Sequence, residues 1–237
     1  MLCIYCRSDT TESTGAEHVI PAALACKDTL EPGYVCDKCN DYFAKMDYNF
    51  MLNRYIALFV GAQQIPNRNG RIRTQIGHKL NFPEFGSFLF QLCPDQKEST
   101  DRKWVYGAKQ DENFDELLFA RGVHKLAFNT FAYGRGGREA MHGRFDNLRR
   151  YIRRPDRGEI WPYAVGGAPY DGTYYASLHH DSAFTEVSVS LHVLCLNFFV
   201  FLSGSCYDLA AKATGQEVYV VSRKGQWQGS SILGLTR

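Results

Sequence analysis

Glu17-His18-Val19-Ile20-Pro21 stands between two cysteine pairs, Cys3-Ile4-Tyr5-Cys6 and Cys36-Asp37-Lys38-Cys39, and Asn40 directly follows the second pair. Each C-x₂-C pair offers two sulfurs from one tight turn, so the two pairs supply four thiolates for a single tetrahedral zinc. Joining them closes residues 7–35 into a metal-held loop. That loop delivers a carboxylate, an imidazole and a carboxamide (Glu17, His18, Asn40) to one place, a set suited to metal-assisted chemistry.

The rest of the chain is consistent with a folded protein built around this segment. Aromatic residues are plentiful (16 Phe, 14 Tyr, 3 Trp) and 45% of residues are apolar, which argues against disorder. Eight cysteines in 237 residues fall below the disulfide-scaffold range, and four of them sit at the paired spacing used for zinc. Cys26, Cys93, Cys195 and Cys206 are solitary and read as buried small hydrophobes. The N-terminus carries cysteines and charges where a signal peptide needs an apolar core. The longest apolar run, 189–202, is broken by Ser190, His192 and Asn197 and is too short to span a bilayer. A cytoplasmic protein without membrane contact is expected.

Residues 1–39 read as a zinc-stapled ββ segment, with Glu17 to Ile20 as a short strand. Asn40 suits an N-cap or first-turn position, and Phe43, Met46, Phe50, Leu52, Ile56 and Phe59 extend an apolar helical face to near Gly61. The turn-rich stretch 65–70 marks a boundary. Strands are expected over 72–76, 88–92 and 104–106, helices over 114–133 and 139–153, and strands again over 160–165, 174–178, 185–202 (in one or two pieces) and 218–222. The fold class is therefore α+β: a small zinc-stapled module over 1–62 and a larger α+β domain over 63–237 with a mainly antiparallel sheet.

At Cys3-Ile4-Tyr5-Cys6, Glu17-His18-Val19-Ile20-Pro21 and Val35-Cys36-Asp37-Lys38-Cys39-Asn40 the sequence resembles the HNH nucleases, in the subgroup whose ββα-metal finger carries a structural zinc. The resemblance covers about the first 55 residues. It implies Cys3, Cys6, Cys36 and Cys39 as structural zinc ligands and His18 as the general base on the attacking water. It also implies Glu17 and Asn40 as ligands of a catalytic Mg²⁺ or Mn²⁺. One departure is plain: the segment Glu31-Pro32-Gly33-Tyr34 lacks the Asn that many members use to orient the base, so a backbone carbonyl or a distant side chain must do so. The chemistry agrees with this assignment. A hard cation takes oxygen ligands and keeps waters, and an imidazole with a pKa near 6.5 accepts a proton at cellular pH.

Net charge is only +2, but its distribution is uneven. The first 60 residues carry five basic and eight acidic side chains, whereas 135–157 holds eight Arg against Glu139, Asp146 and Asp156. Arg149, Arg150, Arg153 and Arg154 form a stripe that fits a nucleic-acid backbone, with a solvated helix face as the plainer reading. The segment Gly134-Arg135-Gly136-Gly137-Arg138 lacks the Lys-Ser/Thr of a phosphate loop and reads as a flexible basic turn. His179-His180-Asp181 is set aside as a metal site, because neighbouring strand residues face opposite sides. The expected activity is metal-dependent hydrolysis of phosphodiester bonds in DNA, with RNA as another substrate. A non-catalytic zinc module that binds nucleic acid or protein is the rival reading, and a homodimer is left open.

Overall fold

The computed structural model describes residues 1–63, 65–66, 69–70, 75–76, 80–81, 91–92, 111–153, 161, 163–167, 174–181, 186–194, 196–203, 218–221 and 227–230. The strand expected over 104–106 lies outside these residues, as do Cys93, Cys195, Cys206 and Arg154.

The N-terminal segment is held more by turns than by strands. Leu2 bridges Asp9, and Ile4 N donates to Tyr34 O (2.8 Å), so the two knuckles run side by side. The Glu17 to Ile20 stretch forms one antiparallel bridge, His18 to Thr29, flanked by Leu30 N to Glu17 O (2.8 Å) and Val19 N to Asp28 O (3.0 Å). Helix α1 spans Asp37–Leu52 and begins three residues before the expected Asn40. Cys36 takes the N-cap position and accepts from Cys39 N and Asn40 N, which places Asn40 in the first turn.

The single helix expected to reach Gly61 is divided. Asn53 leaves helical geometry and caps α2 (Arg54–Ala62), its side chain accepting from Tyr55 N (3.1 Å) and Ile56 N (3.4 Å). A short polar side chain can serve a new helix start better than it continues an old one, and here that local choice prevails over the apolar periodicity.

Strands β1 (Gln75–Ile76), β2 (Leu80–Asn81) and β3 (Gln91–Leu92) form a small antiparallel sheet. Helix α3, Glu116–Arg135, begins at Asp115, whose side chain accepts from Leu118 N (2.9 Å). The helix expected over 139–153 is instead α4 (Gly137–Ala140), a 3₁₀ turn (Gly143–Phe145) and α5 (Asp146–Arg153). Gly136, at φ +88, ends α3 in a conformation that L side chains rarely adopt. The expected basic turn is thus reduced to that one residue.

Strands β4 (Tyr163–Gly167), β5 (Tyr175–Asp181), β6 (Glu186–Val193), β7 (Leu196–Phe201), β8 (Val218–Val221) and β9 (Trp227–Ser230) complete the fold. They make one antiparallel sheet in the order β5-β6-β7-β4-β8-β9. The run 185–202 is two strands paired Val193 to Leu196, with Leu194 turning the chain at φ 57. β9 was not expected. The fold class is α+β, as the sequence indicates.

Helix α3 sits at the centre. Every residue from Phe119 to Ala132 is buried, with α1, α4, α5 and strands β5 to β7 packed around it. A helix enclosed on all sides has no solvated face, so its polar residues Arg121, His124, Lys125 and Asn129 are buried with the rest. Among the described residues most of the buried apolar side chains belong to one cluster that runs from Cys3 to Leu202.

Candidate active site

The four expected zinc ligands converge. The Sγ atoms of Cys3, Cys6, Cys36 and Cys39 all lie within 4.8 Å of one another, and Cys6 and Cys36 are 3.5 Å apart. Tetrahedral Zn–S bonds of about 2.3 Å require sulfurs separated by close to these distances. Arg7, at φ 60, closes the first knuckle by donating its N–H to Cys3 O (2.9 Å). The second knuckle lies at the N-terminus of α1, where the helix dipole favours negative sulfur. The Cys39 thiol, hydrogen-bonded to Cys3, holds Cys3 down to about 4 and is itself pushed up, while burial raises Cys36. Four sulfurs this close cannot all ionise without a cation, so the donor set fits a structural zinc.

Glu17 and His18 lie at the bridge to Thr29, and Asn40 lies in the first turn of α1. Asp37 accepts from Gly15 N (3.0 Å) and Thr14 N (3.4 Å), pinning the approach to Glu17 onto the first turn of α1. A Cβ on Gly15 would stand 2.9 Å from Asn40 Nδ2 and 3.1 Å from Asp37 Oδ1, so Gly15 runs close against the first turn of α1. His18 is half-buried, and its Nδ1 is buried with no hydrogen-bond partner. No carbonyl or side chain among the described residues therefore orients the ring through Nδ1.

Glu17 is almost completely buried and already engaged. Its Oε1 lies 2.5 Å from Lys125 Nζ and accepts from Asn129 Nδ2 (3.0 Å). Lys125, fully enclosed, also reaches Asp47 Oδ1 at 2.7 Å, and its ammonium sits 5.4 Å from the centre of the Phe43 ring. Burial pushes the Glu17 carboxyl up, with Lys125 opposing it. Burial would likewise lower the Lys125 ammonium, but Asp47 and Glu17 outweigh it and hold it above its ordinary value. The contacts of Glu17 fall on one oxygen, so Oε2 and the half-buried Asn40 amide are the oxygens left to a hard cation, which prefers such donors.

The arginine stripe is not one surface. Arg149 is buried: Nε donates to Ile4 O (2.5 Å), Nη1 to Asp146 Oδ1 (2.5 Å) and His142 O (3.2 Å), and Nη2 to Ala140 O. Asp146 also accepts from Arg7 (2.6 Å). Arg149 thus fastens α5 to the first knuckle, and its expected contact with a nucleic-acid backbone is corrected on that ground. Arg150 is exposed, and the half-buried Arg153 lies near enough to Cys39 to favour its thiolate. His179, His180 and Asp181 lie in β5.

Residues 3–53 match the family model described as HNH endonuclease. This segment contains the four cysteines, Glu17, His18 and Asn40. No curated protein and no solved structure matches the chain. Lys125 and Asn129, α3 side chains that reach the Glu17-His18 stretch by an ion pair and hydrogen bonds, lie outside the matched HNH segment. Sequence reading missed both, although a lysine and an asparagine four apart inside the apolar run 123–131 were a signal of buried polar work. Among the described residues no helix is long and apolar enough to cross a membrane.

Proposed function

We propose that this chain is a metal-dependent endonuclease that hydrolyses phosphodiester bonds in DNA, with His18 as the general base. The observation that carries the reading is the four-cysteine centre within residues 3–53, a segment that matches the HNH endonuclease family and also contains Glu17, His18 and Asn40. His18, held on the bridge to Thr29, takes a proton from water at its accessible edge, a role worth typically 10²–10⁴-fold. Glu17, through Oε2, and Asn40 are the side chains that would hold Mg²⁺ or Mn²⁺. When bound, such an ion stabilises charge on the scissile phosphate and on the leaving oxygen. The zinc staples the knuckles and stays out of the chemistry, since a four-thiolate site has no open position. Arg150 and Arg153 are assigned to the substrate backbone, where contacts position more than they specify.

One observation favours a second reading. The Glu17 carboxylate is committed to Lys125 and Asn129, as it would be in a zinc module that binds nucleic acid or protein without cleaving it. Incubating the zinc-loaded chain with supercoiled plasmid and Mg²⁺ or Mn²⁺ separates the two, and an RNA substrate in the same assay fixes the polymer. Cleavage that depends on the added ion and is lost in His18→Ala supports the nuclease. Binding without cleavage supports the module.

A further inference from the structure

We infer that Asn129 and Lys125, on helix α3 and far along the chain from the HNH segment, are positioning residues for the cleavage centre. The inference rests on the reading of His18 as the base.

Asn129 uses all of its amide. One N–H reaches Glu17 Oε1 (3.0 Å), the other the main-chain carbonyl of His18 (2.9 Å), and Oδ1 accepts from Tyr5 OH (2.6 Å). The orientation of this amide is forced. A flipped group would set its oxygen against the Glu17 carboxylate and the His18 carbonyl, two acceptors with no proton to give. One side chain therefore clamps both ends of the Glu17-His18 dipeptide unit and ties it to Tyr5, which lies between Cys3 and Cys6.

Lys125, one helical turn earlier on the same face, completes the frame. Its ammonium fixes the Glu17 carboxylate against Asp47 of α1. The first knuckle, the His18 strand and α1 are thus all anchored to one face of α3. The His18 ring makes no hydrogen bond through its buried Nδ1, so its place is set by the backbone that carries it, and Asn129 holds that backbone. A sub-ångström shift there moves the base relative to the scissile phosphate, and a misplacement of about 1 Å costs on the order of 10²-fold in rate.

The test uses the full, zinc-loaded chain and the variants Asn129→Leu and Lys125→Met. Zinc content and melting temperature report the fold, kcat and KM on plasmid with Mg²⁺ report the reaction, and the NMR signal of the His18 ring, assigned with His18→Ala, reports the position of the base. The expected result for Asn129→Leu is zinc retained, kcat per folded molecule down about 10- to 100-fold with KM changed far less, and the His18 signal displaced. Lys125→Met is expected to follow the same pattern. A kcat close to the parent's with an unmoved His18 signal overturns the proposal. So does a loss of cleavage that merely tracks loss of zinc and fold in both variants. A parent that cleaves nothing overturns the nuclease reading instead, and the clamp is then decided by whether Asn129→Leu moves the His18 signal.

Discussion

Arg149 and Arg150 are adjacent in the chain, yet one guanidinium is enclosed by Ile4, Ala140, His142 and Asp146 while the other faces water. A buried guanidinium that satisfies several carbonyls stabilises through charge-assisted hydrogen bonds, and its removal leaves those acceptors unpaired. Arg149→Ala is therefore expected to lower unfolding stability by about 2–4 kcal/mol. It should leave the salt dependence of DNA binding unchanged. Arg150→Ala should do the reverse, with no change in melting temperature and a salt slope reduced by about 1. Binding titrations at several salt concentrations beside thermal melts check both; an Arg149 variant with parental stability and a flatter slope would return it to the substrate face. Four arginines at helical spacing could be seen in the sequence. Which of them turned inward could not, because that depended on where the first knuckle would dock.

At the scale of elements, α3 decides most of what the sequence left open. Its existence and length were legible from the period of Val123, Leu126, Ala127 and Phe131; Asp115 as its cap emerges only in the structure. The helix's burial on every side was not legible, since enclosure comes from α1, α4, α5 and the sheet together. The same holds for α1 and α2. Periodicity pointed to one helix, and the capping chemistry of Asn53 made two.

Lys125 tests what enclosure does to a charge. Its folded pKa stands above the ordinary 10.5, because Asp47 and Glu17 outweigh the burial that would lower it. For a group raised on folding, the stabilising contribution is complete below the unfolded value and is lost as pH rises through the folded one. Lys125→Met should thus lower stability at neutral pH by about 3–5 kcal/mol, as removal of one partner of a buried pair does. The gap to the parent should narrow above pH 10.5. Urea unfolding across that range checks this; a gap that persists unchanged into strong alkali would contradict it.

For the whole molecule, the four-cysteine centre and the core are one structure. Cys3, Cys36 and Cys39 belong to the same buried cluster as Phe128 of α3 and Phe198 of β7. Asn49 and Asp115 tie α1 to the start of α3 through reciprocal bonds of 2.7 and 2.9 Å. Zinc removal is accordingly expected to destabilise the described core as a unit, since binding energy at such a site is folding energy. Calorimetry with and without a chelator should show one transition moving down; an unmoved main transition would mean that the knuckles fold apart from the rest. The four-cysteine centre was legible at Cys3, Cys6, Cys36 and Cys39 because the spacing of the two pairs suits one metal. Lys125 and Asn129 were hidden because only the docking of α3 brings them to Glu17 and His18.

The measurement that reaches the central claim most directly is the plasmid nicking rate of His18→Ala beside the parent. It is taken with both chains zinc-loaded, at matched Mg²⁺ and matched DNA affinity. The expected result is ion-dependent nicking by the parent, and a rate about 10²–10⁴-fold lower in a variant with parental zinc content and melting temperature. Nicking by His18→Ala at the parental rate would contradict the account.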